Sequence, residues 1–128
     1  MSNEYYLIKI PIYETHIDQS GTTFISYKVE ATYKGTINSV FRRFSEFVTL
    51  HNEVRKAYKG NHLASNIPVF PPKHPKFMID HMDDHFVDER KFNLERYMQL
   101  LSRLPKIEQV PMYVDFLEGR PLQPSDKK

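Results

Sequence analysis

Tyr6, Ile8, Ile10 and Ile12 alternate with the residues between them, the two-residue period of a strand with one buried face. Pro11 falls inside that run and has no N–H for a ladder, so this strand is expected at a sheet edge or with a bulge. Asp18-Gln19-Ser20-Gly21 reads as a turn. Ile25, Tyr27, Val29, Ala31 and Tyr33 then alternate strictly with Phe24, Ser26, Lys28, Glu30 and Thr32. Lys34-Gly35 suits a two-residue hairpin, and residues 36–42 return as a third strand. The pattern predicts a three-stranded antiparallel meander.

The period then changes. After Ser45, a good N-cap residue, Phe47, Leu50, His51, Val54 and Tyr58 follow helical spacing until Gly60. Residues 61–85 hold no period. Pro68, Pro71, Pro72 and Pro75 fall there, and because proline fixes φ and lacks an N–H, the stretch is expected to be extended, partly polyproline II. Asp88 is the expected cap of a second helix, with Leu94, Tyr97, Met98, Leu101 and Leu104 on one face and Pro105 as its stop. Val110, Val114 and Leu117 define a short last helix, with Pro111 near its start and Gly119 past its end. Strands followed by helices indicate an α+β fold, a three-stranded antiparallel sheet packed against a helical subdomain with a proline-rich loop. The expected division is a tail over residues 1–4, one domain over residues 5–118, and a flexible, polar tail over residues 119–128.

Composition narrows the class. With 128 residues there is room for one compact domain, and nine Phe and eight Tyr supply a core. There is no cysteine, which removes disulfides and thiolate metal sites and fits a cytosolic protein. Met1-Ser2-Asn3-Glu4 and the Tyr5-Tyr6-Leu7-Ile8 that follows do not read as a secretory leader, and no stretch approaches the roughly 20 apolar residues of a membrane span. A net charge of +2 is small for a nucleic-acid binder, so no nucleic acid is expected. The cations are clustered, however, at Arg42-Arg43, Arg55-Lys56, Lys73 with Lys76, and Arg90-Lys91. Islands that converge could form a small anion pocket on a nearly neutral protein.

Arg42-Arg43-Phe44-Ser45-Glu46-Phe47 resembles the Arg-Arg-aromatic-x-x-Phe signature of phox-homology (PX) domains, including those of sorting nexins. Pro71-Pro72-Lys73 resembles that family's proline-rich loop with its lysine, and Asp88-Glu89-Arg90 resembles its third element. The three motifs stand in the family's order across residues 5–118. The resemblance implies a non-enzymatic module without cofactors that binds phosphatidylinositol 3-phosphate and sits peripherally on the cytosolic face of endosomal membranes. It implies that Arg43 grips the 3-phosphate, Phe44 packs on the inositol face, Lys73 meets the 1-phosphate and Arg90 bonds the 4- and 5-hydroxyls. It also implies a minor contact at Ser45, which stands where some relatives carry a further base.

Residue chemistry agrees with those roles. A guanidinium offers paired donors to phosphate oxygens, an ammonium acts as a point charge, and the helix start beside Arg43 favours an anion. Charge-assisted hydrogen bonds contribute roughly 1.5–3 kcal/mol each, so headgroup affinity alone should be modest. Phe77-Met78-Ile79 is an apolar segment that reads either as a tip inserting into the membrane or as a segment folded back on the domain.

Other readings concern the same residues. Arg42 should point to the opposite strand face from Arg43 and be structural or peripheral. Phe44, taken by itself, reads as core. Pro68-x-x-Pro71 and Pro72-x-x-Pro75 suit a polyproline ligand for an SH3-type partner, and a sorting-complex partner is a related possibility. His81 and His85, with His74, Asp83 and Asp84 nearby, raise a metal site, but Met82 stands where His-Glu-x-x-His needs its Glu, so no metal is expected. No nucleophile motif or phosphate-cradling glycine loop is present, so catalysis is not expected.

Overall fold

The computed structural model describes residues 5–73 and 83–125. Leu7–Lys9 (β1) and Tyr13–Ile17 (β2) both run antiparallel along one edge of the long strand Thr23–Tyr33 (β3), and Thr36–Arg43 (β4) returns along its other edge. β1 lies within the expected first strand, the pairing breaks around Pro11, and β2 follows beyond that run. The ladder is carried across the gap by Lys28 N–H donating to the Ile12 carbonyl at 3.0 Å. Ile10 N–H instead donates to Glu95 at 2.8 Å, outside the sheet.

Both turns form as expected. Lys34 (φ 50°) and Gly35 (φ 83°) occupy the two left-handed positions of the β3–β4 hairpin, a conformation that matches the twist of the strands it joins. Asp18 Oδ1 accepts from the Ser20 and Thr22 N–H groups and from the Ser20 hydroxyl, which tightens the β2–β3 turn.

Ile8, Tyr27, Val29 and Ala31 form the buried face of the sheet. Against it pack Phe47, Leu50 and Val54 of helix α1 (Phe44–Ala57), Leu94, Met98 and Leu101 of α2 (Asp84–Leu101), and Tyr113, Phe116 and Leu117 of α3 (Pro111–Glu118). Tyr27, Phe47 and Phe116 make successive edge-on contacts at 6.2 and 4.9 Å, linking the sheet to α1 and α3. Each such fully buried side chain contributes about 1.5–3 kcal/mol of transfer free energy. Gly119 ends α3 at φ 79°, and an added Cβ there would lie 3.1 Å from Val40 Cγ1, so the position disfavours any side chain on two counts.

The helix starts differ from expectation. Arg43, not Ser45, is the N-cap of α1. Glu46 decides this, because its carboxylate accepts the Arg43 N–H at 2.9 Å and the Arg42 guanidinium at 2.7 Å, which pulls the first turn two residues earlier. Asp83, not Asp88, caps α2, accepting the Phe86 N–H at 3.1 Å. The start moves because Phe86 and Val87 already pack against the core, so helix is worth forming there. His62–Asn66 is a 3₁₀ turn within the stretch expected to be extended, nucleated by Asn61 Oδ1 accepting from Leu63 N–H at 2.7 Å. A second 3₁₀ turn, Ile107–Gln109, precedes α3.

Arg42 is structural, as expected. It is 5% exposed and donates to the carbonyls of Phe116, Asp115 and Arg120, so that one guanidinium ties β4 to the end of α3. Beyond α3 the chain stays in contact through residue 125. Leu122 packs on the core, and Ser125 bonds Glu53 through its N–H and Lys56 through its carbonyl.

Candidate functional site

β4 and α1 meet without a loop, so Arg43 ends the strand and caps the helix. Register pairs Arg42 with Tyr27 on the buried sheet face and Arg43 with Ser26 on the opposite face. The Arg43 guanidinium rests over the Phe24 ring, 4.1 Å from its centroid. His16, paired with Phe24 from β2 on the other side of β3, stacks on the same ring at 5.2 Å and meets the Ser26 hydroxyl at 2.8 Å. Ser45 is exposed in the first turn of α1, and its carbonyl accepts the Thr49 hydroxyl.

Phe44 is half-buried, and Arg90 from the second turn of α2 lies over its ring, 3.6 Å from the centroid. The Phe86 ring, one helical turn before Arg90, lies 4.5 Å from the same guanidinium. Arg90 is only 9% exposed, and its Nη2 alone among the described residues is a buried side-chain polar atom without a hydrogen-bond partner. Burial pushes its pKa down, partly opposed by the nearby Tyr27 phenol, but a guanidinium stays charged at any working pH. Two cation–π contacts return about 0.5–2 kcal/mol each, less than the several kcal/mol that burying a charge costs. Arg90 is therefore a cation held in place and short of acceptors.

Arg90 opens onto a cleft of about 100 Å³ lined also by Pro71, Pro72, Phe86, Glu89 and Asn93. Lys73 follows Pro72 directly and is exposed. Arg43 and Lys73 stand outside that lining, Arg43 beside Phe44 in the chain and Lys73 beside Pro72. The fold thus joins Phe44 to Arg90 by direct contact and brings the Pro71-Pro72 segment to Arg90. Phe70 supports the arrangement, with its ring 5.7 Å from Phe44, 5.0 Å from Tyr97 and 4.9 Å from His51. His51 Nδ1 also meets the Tyr97 hydroxyl at 2.8 Å, and burial, with Arg55 nearby, depresses the His51 pKa.

Sequence reading missed Phe24, Phe70 and Phe86. Phe86 emerges only once α2 is seen to start at Asp84, which places it four residues before Arg90 on one helix. Phe24 follows once the hairpin fixes the register, and Phe70 carried no signal beyond its place before Pro71. Pro68 and Pro71 are half-buried, whereas Pro75 of the second Pro-x-x-Pro lies outside the described residues, as do Phe77, Met78, Ile79, His74 and His81. His85 is exposed, and no group of three or more potential metal ligands occurs among the described residues. No helix among them is long and apolar enough to cross a membrane.

Comparison with known proteins agrees with this architecture. The PX domain family matches residues 30–120. Sorting nexin-17 of Danio rerio is 31% identical over 84% of this chain, and the sorting nexin mvp1 of Neurospora crassa is 32% identical over 72%. The chain spans only 20% and 11% of those two proteins. A designed CISK-PX domain superposes with a TM-score of 0.73 at 26% identity, covering 87% of this chain and 97% of that one. The mouse SNX19 PX domain shares the fold, with a TM-score of 0.58 at 22% identity over 88% and 93% of the two chains. The chain belongs to the PX domain family.

Proposed function

We propose that this chain is a non-enzymatic membrane-targeting module that binds a phosphoinositide headgroup, prefers phosphatidylinositol 3-phosphate, and acts on the cytosolic face of endosomal membranes. Residues 5–118 form the binding domain in this reading. The observation that carries it is Arg90, a buried guanidinium with an unpartnered Nη2 at the mouth of a small cleft. Inositol hydroxyls supply the acceptors it lacks. Arg43, at the N-terminus of α1, takes the 3-phosphate. Lys73 takes the 1-phosphate from the loop, and Ser45 adds a minor contact through its hydroxyl. Arg90 already covers part of the Phe44 ring, so the inositol ring packs on what that contact leaves open.

Phe77, Met78 and Ile79 complete the proposal as a membrane-inserting tip, on sequence grounds alone. The alternative, a Pro-x-x-Pro ligand for an SH3-type or sorting-complex partner, needs exposed prolines. Half-burial of Pro68 and Pro71, and the position of Pro71 and Pro72 against Arg90, favour the lipid reading.

Flotation with liposomes that differ only in phosphoinositide isomer tests the function. Binding should depend on the 3-phosphate, and Arg43→Ala should abolish it while leaving the thermal melt unchanged. Equal binding to every anionic liposome would reduce the interaction to surface electrostatics.

A further inference from the structure

Helix α2 is buried along the side that carries Val87, Arg90, Leu94, Tyr97, Met98 and Leu101. On its exposed side Asp88, Phe92 and Arg96 follow one another at four-residue intervals, so they form one stripe. Phe92 is 64% exposed and Leu100, one further turn along, 48%. Neither Asp88 nor Arg96 takes part in an ion pair among the described residues. An aromatic ring therefore stands in solvent with an acid one turn before it and a base one turn after, neither ion-paired among the described residues.

That order is complementary to itself when reversed. We infer that this face of α2 docks, antiparallel, on the same face of a second copy of the chain, with the two-fold axis at Phe92. The two Phe92 rings then meet at the centre, and Arg96 of each copy lies opposite Asp88 of the other, as an isologous contact requires. Parallel docking would instead set Asp88 against Asp88 and Arg96 against Arg96. A uniformly acidic or basic partner would satisfy only half of the stripe, which is why a second copy fits better than an unrelated charged segment.

Arg90 itself points about 160° around the helix from Phe92 at 100° per residue, so its guanidinium faces away from the second copy, while Glu89 and Asn93 of the cleft rim lie nearer the docked face. A single helix pair buries less than the roughly 1,200 Å² typical of stable complexes, so association is weak and reversible in solution. It becomes consequential when both copies are held on one membrane, where effective concentration is high. Added salt weakens it, because the flanking pairs are exposed.

Charge exchange tests the contact without lipid, so its outcome is separate from that of the headgroup reading. Sedimentation velocity on the full chain, over a series reaching about 1 mM, should show a reversible monomer–dimer equilibrium in the weak range. D88R sets two cations face to face and R96E two carboxylates, so each variant alone should dimerise at least tenfold more weakly. An equimolar mixture of the two should recover the wild-type equilibrium, because each supplies the charge the other lacks. Phe92→Glu should also remove the dimer. All three positions are exposed, and circular dichroism checks that the fold is kept. Monomer at every concentration, a dimer indifferent to these substitutions, or a mixture that fails to recover overturns the proposal.

Discussion

The Arg90 guanidinium lies 3.6 Å from the centroid of the Phe44 ring, which joins the second turn of α2 to the first residue of α1. This contact brings two distant motifs together, and it explains how a charged side chain is tolerated where its Nη2 finds no acceptor. In the proposed headgroup role such a group would serve binding at some cost to stability, and the two effects separate by mutation.

Arg90→Leu should keep or raise stability while reducing headgroup affinity at least tenfold. A leucine fills the apolar space between Phe44 and Phe86 without a charge to desolvate, and replacing buried ions by apolar groups is often neutral or stabilising. Thermal melts and titration with a soluble short-chain phosphoinositide check the two halves. A variant that binds normally contradicts the role of Arg90.

Arg42→Ala should behave in the opposite way. It removes three hydrogen bonds to carbonyls of residues 115, 116 and 120 and the partner of Glu46, at a cost of about 2–4 kcal/mol. Urea denaturation should show this loss, while the fraction that remains folded keeps its affinity.

Phe24→Leu probes the platform under Arg43. A cation–π contact at an exposed site is worth about 0.5–1 kcal/mol, so affinity for the soluble headgroup should fall roughly two- to fivefold. Phe24→Tyr should restore it. Equal affinity in all three proteins would show that Phe24 does not hold Arg43 for binding.

His51 should make stability fall in mild acid. Its folded pKa lies below the ordinary 6.5, so on acidification the unfolded chain takes up the proton first. The contribution is complete above pH 6.5 and is lost as pH falls from there through the folded pKa. Compared with His51→Gln, the wild-type melting temperature should drop more steeply below pH 6.5 and run parallel above pH 7. A constant difference across the range contradicts this.

Strand order, hairpin and helix number were legible because each rests on local period and turn chemistry, as at Ile25 to Tyr33 and at Lys34-Gly35. Helix starts were not, because Glu46 and Phe86 select them through contacts that no local window contains. The proposed cation set comes from the motifs, and Arg42 could be separated from Arg43 by strand alternation alone. Burial of Arg90 against two rings could not be read there, since it depends on the start of α1 meeting α2 and on where α2 begins. Phe70 acts through His51 and Tyr97, each distant in sequence, and is visible only once they pack.

Nitrogen-detected NMR of the arginine Nε–Hε groups, during titration with soluble phosphatidylinositol 3-phosphate, tests the central claim most directly. Arg90 and Arg43 should shift together and saturate at one dissociation constant, with Arg42 and Arg96 unmoved. Shifts spread over exposed arginines without saturation, or an Arg90 resonance that stays in place, would contradict a headgroup site built on Arg90.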